Sequence, residues 1–398
     1  MRTTVLVIGG GATGVGVARD LALRGVDVTL VERGALAAGT TGRSHGVLHS
    51  GARYADADPD DAAACLAENR ILRDVASACI RETGGYFLEL DDDDPAYFEA
   101  KRAACADLGM AIETLDGDTL RDRVPEASPV VERALAVPDA VISPSRLVVA
   151  NAVAAREAGA TINTSAPVES IHVVDGRVRR VEVGGALDAS VAADVVVNAT
   201  GPWAERCAAL ADVSVPMRPT RGVMVAVENP GVDVVLNRCR PPADGDIVVP
   251  HPDEAVLGTT SVVVDDPDDF ERSGTEVTRT VRECAAMAPA VADAPTTRTY
   301  WGVRPLYAPD EDDRNGRAIS RDFALLDHAD DGAAGFVTVV GGKLTTYRKM
   351  AEATADLVCE RLGVSATSET AERPLPGSDD PTHLDELVAE FGVDAPAG

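Results

Sequence analysis

Two hydrophobic periods alternate along the chain. Residues 5–8 are a continuous apolar run, residues 15–24 carry apolar positions at helical spacing, and residues 28–31 are apolar again. That succession predicts a buried parallel strand, a helix and a second parallel strand. Further on, the pattern predicts helices over 62–80, 96–108, 144–158, 275–288 and 347–362, and a short helix and turn at 119–125. Strands are predicted at 85–90, 160–163, 168–174, 178–183, 194–198, 296–307, 323–327 and 336–340, with strand-like pattern through 213–263. Asp175-Gly176 between two alternating segments predicts a tight hairpin. Residues 365–398 read as a loosely attached tail with one short helix, and no internal repeat is seen.

The first strand runs into Gly9, Gly11 and Gly14 at GxGxxG spacing, and the second ends at Glu32. In that context the glycines serve a tight turn, close approach to a pyrophosphate, and helix–strand packing. A helix N-terminus favours the anion. Glu32 stands where a carboxylate takes ribose hydroxyls and repels a 2′-phosphate, so a dinucleotide other than NADP is expected. Residues 38–54 are rich in Gly, Ser and Thr and interleaved with Arg43, His45, His49 and Arg53, which predicts a backbone-rich loop around a cofactor. Residues 199–203 (ATGPW) and 341–346 (GGKLTT) are two more small-residue turns after apolar runs.

Composition adds a class. The chain has 398 residues, enough for roughly two or three domains. It has a net charge of -28, acidic runs at 91–94, 265–269 and 310–313, and lysine only at Lys101, Lys343 and Lys349. The runs read as a solvated acidic surface. Such charge repels itself in dilute buffer, and molar salt shortens the screening length to about 3 Å. This pattern resembles a protein of a salt-accumulating halophile and excludes nucleic acid as a partner. Seven cysteines stand singly without CxxC pairs, so reduced buried thiols are expected and no metal site. With no apolar run of membrane-spanning length and no signal peptide, the expected location is cytoplasmic.

The segments GGGATGVGVARDLALRG, GRSHGVLHSGARY, NATGPWA, NRCRPPADGDIVVP, LGTTS, GVRPLYAPDEDDRNGRAISRD and GGKLTTYRKMAE occur in that order. Together they resemble the FAD-dependent glycerol-3-phosphate dehydrogenases, most closely the large catalytic subunit of the anaerobic, quinone-linked enzyme. The resemblance runs to about residue 378. It implies a mixed α/β, α+β fold: a Rossmann-like FAD-binding domain of the D-amino-acid-oxidase type with an antiparallel-sheet substrate domain. The expected division is 1–60, 145–210 and 330–365 for FAD, 61–144 and 211–329 for the cap and substrate, and 366–398 for the tail.

By the same resemblance, Gly9, Gly11, Ala12, Thr13, Gly14, Glu32 and Arg33 hold the ADP half of FAD. Thr40, Thr41, Ser44 and Gly46 line the pyrophosphate and ribityl side, and Val168 meets adenine through its backbone. Ala199 and Gly201 form a second nucleotide contact, and Gly342, Lys343, Leu344 and Thr345 sit at the isoalloxazine. Arg53, Arg304 and Arg321, with Tyr54 nearby, meet the substrate phosphate, since a planar guanidinium bonds two oxygens at once. Lys343, Arg304 and His49 are the implied catalytic set, with His49, a water or Lys343 open as the base. His172, His251, Tyr300 and Trp301 read as structural. The implied reaction is oxidation of sn-glycerol 3-phosphate. Electrons would pass to quinone through a membrane-anchoring flavoprotein and an iron–sulfur subunit, which would place the chain peripherally at the inner face of the membrane. Two features depart from the family. The clustered cysteines of the longer subunits' C-terminal extension have no counterpart before Gly398, and Gly46 stands where single-chain relatives have lysine. An oxidase of 2-hydroxy acids or amino acids on the same fold, and a flavin scaffold without catalysis, are the alternative readings.

Overall fold

The computed structural model describes residues 1–309 and 322–393. Strand Arg2–Ile8 lies between Val28–Val31 and Ala189–Asn198 and is parallel to both. Thr161–Asn163 and Phe336–Gly341 extend the parallel set on either side, and Phe323–Asp327 pairs antiparallel with the latter. The period-2 pattern of the first strand sorts its side chains by face. Val5 and Val7 pack toward the helices Ala12–Leu23, Pro144–Glu157 and Tyr347–Leu362. Leu6 and Ile8 pack toward the hairpin Val168–Val174/Arg177–Val183 and the helix Ala204–Ala209. Asp175 (φ 52°) and Gly176 (φ 71°) make the expected hairpin turn with both residues left-handed. The carboxyl ends of the central strands meet in register at Ile8, Val31 and Asn198. The crevice beyond such ends is where open α/β sheets bind ligands.

A second, mostly antiparallel sheet is built around Thr220–Glu228, which pairs with Thr296–Arg304 on one side and Glu254–Gly258 on the other. It continues through Ile247–Pro250, Val235–Arg238, Gly85–Leu90, Val131–Val137 and Glu113–Asp116. Helix Gly274–Met287 covers one face through Cys284 and Met287, both fully buried. A small sheet of Val47–Leu48, Ala140–Ile142 and Ile80–Arg81 joins the 38–54 loop to the rest.

Four expectations need correction. The predicted helix at 62–80 is Pro59–Val75, started earlier by Asp58, whose side chain accepts the Asp61 N–H at 3.2 Å. Val131–Val137 and Glu113–Asp116 are strands that single-strand alternation did not reveal. Phe323–Asp327, placed with the substrate domain by sequence, belongs to the first sheet. The tail is docked. Leu375, Leu384 and Val393 are buried in the core beneath the first sheet's helices, and Arg146 grips Asp385 through two bonds of 2.7 Å. All seven cysteines are buried and unpaired, and burial pushes the thiols of Cys65, Cys79, Cys207, Cys239 and Cys284 up to about 12.

Candidate active site

A cavity of about 650 Å³ opens at the carboxyl ends of the parallel strands. Its floor is the glycine turn. A Cβ on Gly14 would stand 1.9 Å from the Gly9 carbonyl oxygen, so only glycine lets the helix Ala12–Leu23 start this close to the strand. Gly9, Gly11, Ala12 and Thr13 line the cavity, whereas Gly14 sits behind it. The first-turn N–H groups of a helix have no intrahelical partner. One of them, on Ala12, donates to Thr41 Oγ1 at 3.1 Å.

At one end lie Glu32 and Arg33. The Glu32 carboxylate accepts the N–H groups of Gly10 (2.7 Å) and Gly34 (2.8 Å), one on each oxygen. A carboxylate oxygen has a second lone pair, so both remain able to accept hydroxyls. Val168, Ala199 and Gly201 line the same region. So does Trp203 of the ATGPW turn, to which the sequence alone assigns no role. Arg33 stacks on its ring at 4.2 Å, and its Nε1 donates to Asp268 at 2.9 Å. Asp268 also takes Arg33 (2.9 Å) and Arg206 (3.0 Å). Burial raises its pKa, but these bonds outweigh burial and leave it below the ordinary 3.8. The acidic run 265–269 is therefore not merely a solvated face: one of its carboxylates, Asp268, lines the cavity. At the run 91–94, Asp92 (2.5 Å) and Asp93 (3.0 Å) likewise pair with Arg238. The third run, 310–313, lies outside the described residues.

The middle is the 38–54 loop. Thr40, Thr41, Ser44 and Gly46 all line the cavity. Thr40 Oγ1 donates to the Val303 carbonyl at 2.5 Å, tying the loop to the second sheet. His251 packs under the loop, its Nε2–H donating to the His45 carbonyl at 3.3 Å. Burial pulls the His251 pKa down, so the ring is neutral.

Gly342, Lys343 and Leu344 also line the cavity, with His49, Tyr54 and Arg304. Gly342 takes φ +67°, and a Cβ there would strike Met350 Sδ at 2.3 Å. Lys343 Nζ lies 4.5 Å from the centre of the Tyr54 ring and pairs with Asp61. The His49 and Tyr54 rings meet edge to face at 5.7 Å. Arg304 Nη2 donates to Thr259 Oγ1 at 3.2 Å. Thr345 does not line the cavity; its hydroxyl accepts the His49 backbone N–H at 3.0 Å. Arg53 is also off the wall, bonded to Asn237 Oδ1 at 3.2 Å and 3.9 Å from Asp246. Arg321 lies outside the described residues. Asp61 and Asp268 were missed because nothing in an acid-rich sequence separates them from surface carboxylates.

The donor set fits FAD. A glycine turn and helix start offer N–H groups to a pyrophosphate, and Glu32 offers acceptors to a ribose. Ser44 Oγ is buried on the wall with no hydrogen-bond partner in the protein, the kind of atom a bound polar group satisfies.

Residues 4–348 match the FAD dependent oxidoreductase family. The chain is 47% identical, over 99% of its length and 70% of the relative's, to the A1 subunit of the anaerobic glycerol-3-phosphate dehydrogenase of Haloferax volcanii. It is 43% identical, over 96% of its length and 71% of the relative's, to the corresponding subunit of the anaerobic Escherichia coli enzyme. Among solved structures it resembles the FAD-bound L-α-glycerophosphate oxidase of Mycoplasma pneumoniae, with TM-score 0.75, 20% identity, and coverage of 94% and 99% of the two chains. The FAD complex of a Bacillus halodurans glycerol-3-phosphate dehydrogenase gives TM-score 0.73 and 24% identity, covering 99% and 73%. At these identities the solved structures show the fold. The chain thus belongs to the FAD-dependent oxidoreductases, in the branch of the anaerobic glycerol-3-phosphate dehydrogenases, and FAD is its cofactor.

Proposed function

We propose that this chain oxidises sn-glycerol 3-phosphate to dihydroxyacetone phosphate. One observation carries the reading. Lys343, Arg304, His49 and Tyr54, from three separate stretches of chain, line one cavity with Glu32 and Arg33, and the Tyr54 ring touches both His49 (5.7 Å) and Lys343 (4.5 Å). The family resemblance assigns Arg304 and Tyr54 to the substrate phosphate and Lys343 to the isoalloxazine and makes His49 a candidate base, and the curated relatives are named for glycerol 3-phosphate.

FAD supplies the hydride acceptor when bound. The remaining work falls to the chain. Arg304, steadied by Thr259, binds the substrate phosphate. Binding energy from the phosphate holds the reacting carbon in place without taking part in the chemistry. His49 takes the hydroxyl proton. Its main chain is fixed by Thr345 and its ring is wedged by Tyr54, so the imidazole meets the substrate with little freedom left to lose. Lys343 places positive charge where negative charge develops on the alkoxide and the reduced cofactor.

The relatives are named as single components of a multi-subunit enzyme, which supports companion chains. We assign electron delivery to a quinone through a membrane-anchoring flavoprotein and an iron–sulfur subunit, with this chain peripheral at the cytoplasmic face. Among the described residues no helix is long and apolar enough to cross a membrane.

The test is turnover with a dye acceptor on glycerol 3-phosphate, glycerol and 2-hydroxyglutarate. Glycerol 3-phosphate should exceed the others in kcat/KM by about a hundredfold or more, and Arg304→Gln should raise its KM at least about tenfold. Preference for 2-hydroxyglutarate would overturn the assignment.

A further inference from the structure

Lys343 is one of three lysines in a chain that otherwise uses arginine. Its side chain is 7% exposed, and the carboxylate paired with it, Asp61, is 3% exposed. Asp61 comes from the first turn of Pro59–Val75, 282 residues away. It does not line the cavity. Its main chain is fixed by the Asp58 cap, so its carboxylate is carried by a helix rather than a loop. Lys343, by contrast, is carried by a glycine-rich turn on a long flexible side chain. Its ammonium is held between the Asp61 carboxylate and the face of Tyr54.

We propose that Asp61 is the positioning residue for Lys343. It fixes the direction of the ammonium at the substrate end of the cavity and offsets part of its charge there. A bare buried ammonium would be costly in the resting protein. A carboxylate beside it offsets that cost. Asp61 therefore acts on the site through Lys343, and the field at the reacting end is that of a pair rather than a lone cation. This rests on the reading above only in placing the reactive end of FAD beside Lys343.

The experiment uses the FAD-loaded protein and sulfite, an anion that bleaches oxidised flavin and leaves negative charge on it. Asp61→Asn keeps an oxygen to accept from Lys343 and removes the opposing charge. It should tighten sulfite binding by about fivefold in the wild-type background and by less than about twofold in Lys343→Met. Asp61→Glu keeps the charge and should stay within about twofold of wild type. Unchanged or weaker sulfite binding in Asp61→Asn would overturn the proposal, as would the same shift with and without Lys343. If Asp61→Asn fails to hold FAD, a shift above about twofold in Asp61→Glu overturns it instead. No substrate is present, so an error in the substrate assignment leaves this result readable.

Discussion

Thr345 Oγ1 accepts the backbone N–H of His49 at 3.0 Å, joining two glycine-rich junctions that lie 296 residues apart. Both groups are buried, Thr345 at 1% and His49 at 7% exposure. The bond fixes the loop that carries His49 to the turn that carries Lys343. Thr345→Val removes the acceptor without changing the shape and leaves a buried donor unmet. We predict a loss of about 1–3 kcal/mol of stability, read as a lower melting temperature of the FAD-loaded protein. Thr345→Ser restores it. Equal melting of Thr345→Val and wild type would show that the bond contributes nothing.

Gly14→Ala should empty the cofactor site. Its Cβ would sit 1.9 Å from the Gly9 carbonyl, so helix and strand must part, and the helix start moves with them. We predict purified protein with less than about a tenth of the wild-type flavin per chain. Measured by absorbance after unfolding, full flavin content would contradict the packing argument.

Lys343→Met tests the cation itself. We predict full FAD occupancy and a fall in kcat of about a hundredfold or more, on the scale of removing one group aimed at developing charge. Turnover within about twofold of wild type would remove Lys343 from the reaction.

Acidification should loosen the cofactor loop through His251. Burial holds its pKa below the ordinary 6.5, with Arg81 and Arg298 acting in the same direction and the His45 carbonyl and Glu254 against it. Between the folded pKa and 6.5 the unfolded chain binds more protons, so stability rises with pH through that window. The contribution of the neutral ring is complete above 6.5 and is lost as pH falls below it. Buried Asp20, Glu68 and Asp139, whose pKa values burial raises, act with the opposite sign. Replacing His251 leaves all three in place. Melting temperature against pH for wild type and His251→Gln should therefore diverge below about pH 6.5, with wild type losing more. Parallel curves would rule out His251 as the titrating group.

The glycine turn, Glu32 and the 341–346 junction were legible because each is a local requirement. A steric limit or a dipole at one point of the chain leaves its mark in adjacent residues. The hairpin at Asp175-Gly176 was legible for the same reason. Asp268 and Asp61 were not, since each becomes functional only where a distant segment meets it: Trp203 and Arg33 for the first, Lys343 for the second. The docking of residues 365–393 was hidden in a polar segment whose scattered apolar side chains, among them Leu375, Leu384 and Val393, are nevertheless buried. Val131–Val137 escaped because its partners, Gly85–Leu90 and Glu113–Asp116, fix it as a strand from outside.

In the proposed reaction one cavity holds FAD and presents glycerol 3-phosphate to it. The most direct measurement is anaerobic. The chain is purified in molar KCl, where its net charge of -28 is screened, and glycerol 3-phosphate is added while the absorbance of oxidised flavin is followed. Bleaching by about one equivalent of substrate per flavin is expected, and none by glycerol. A bound yellow cofactor that glycerol 3-phosphate fails to bleach would contradict it.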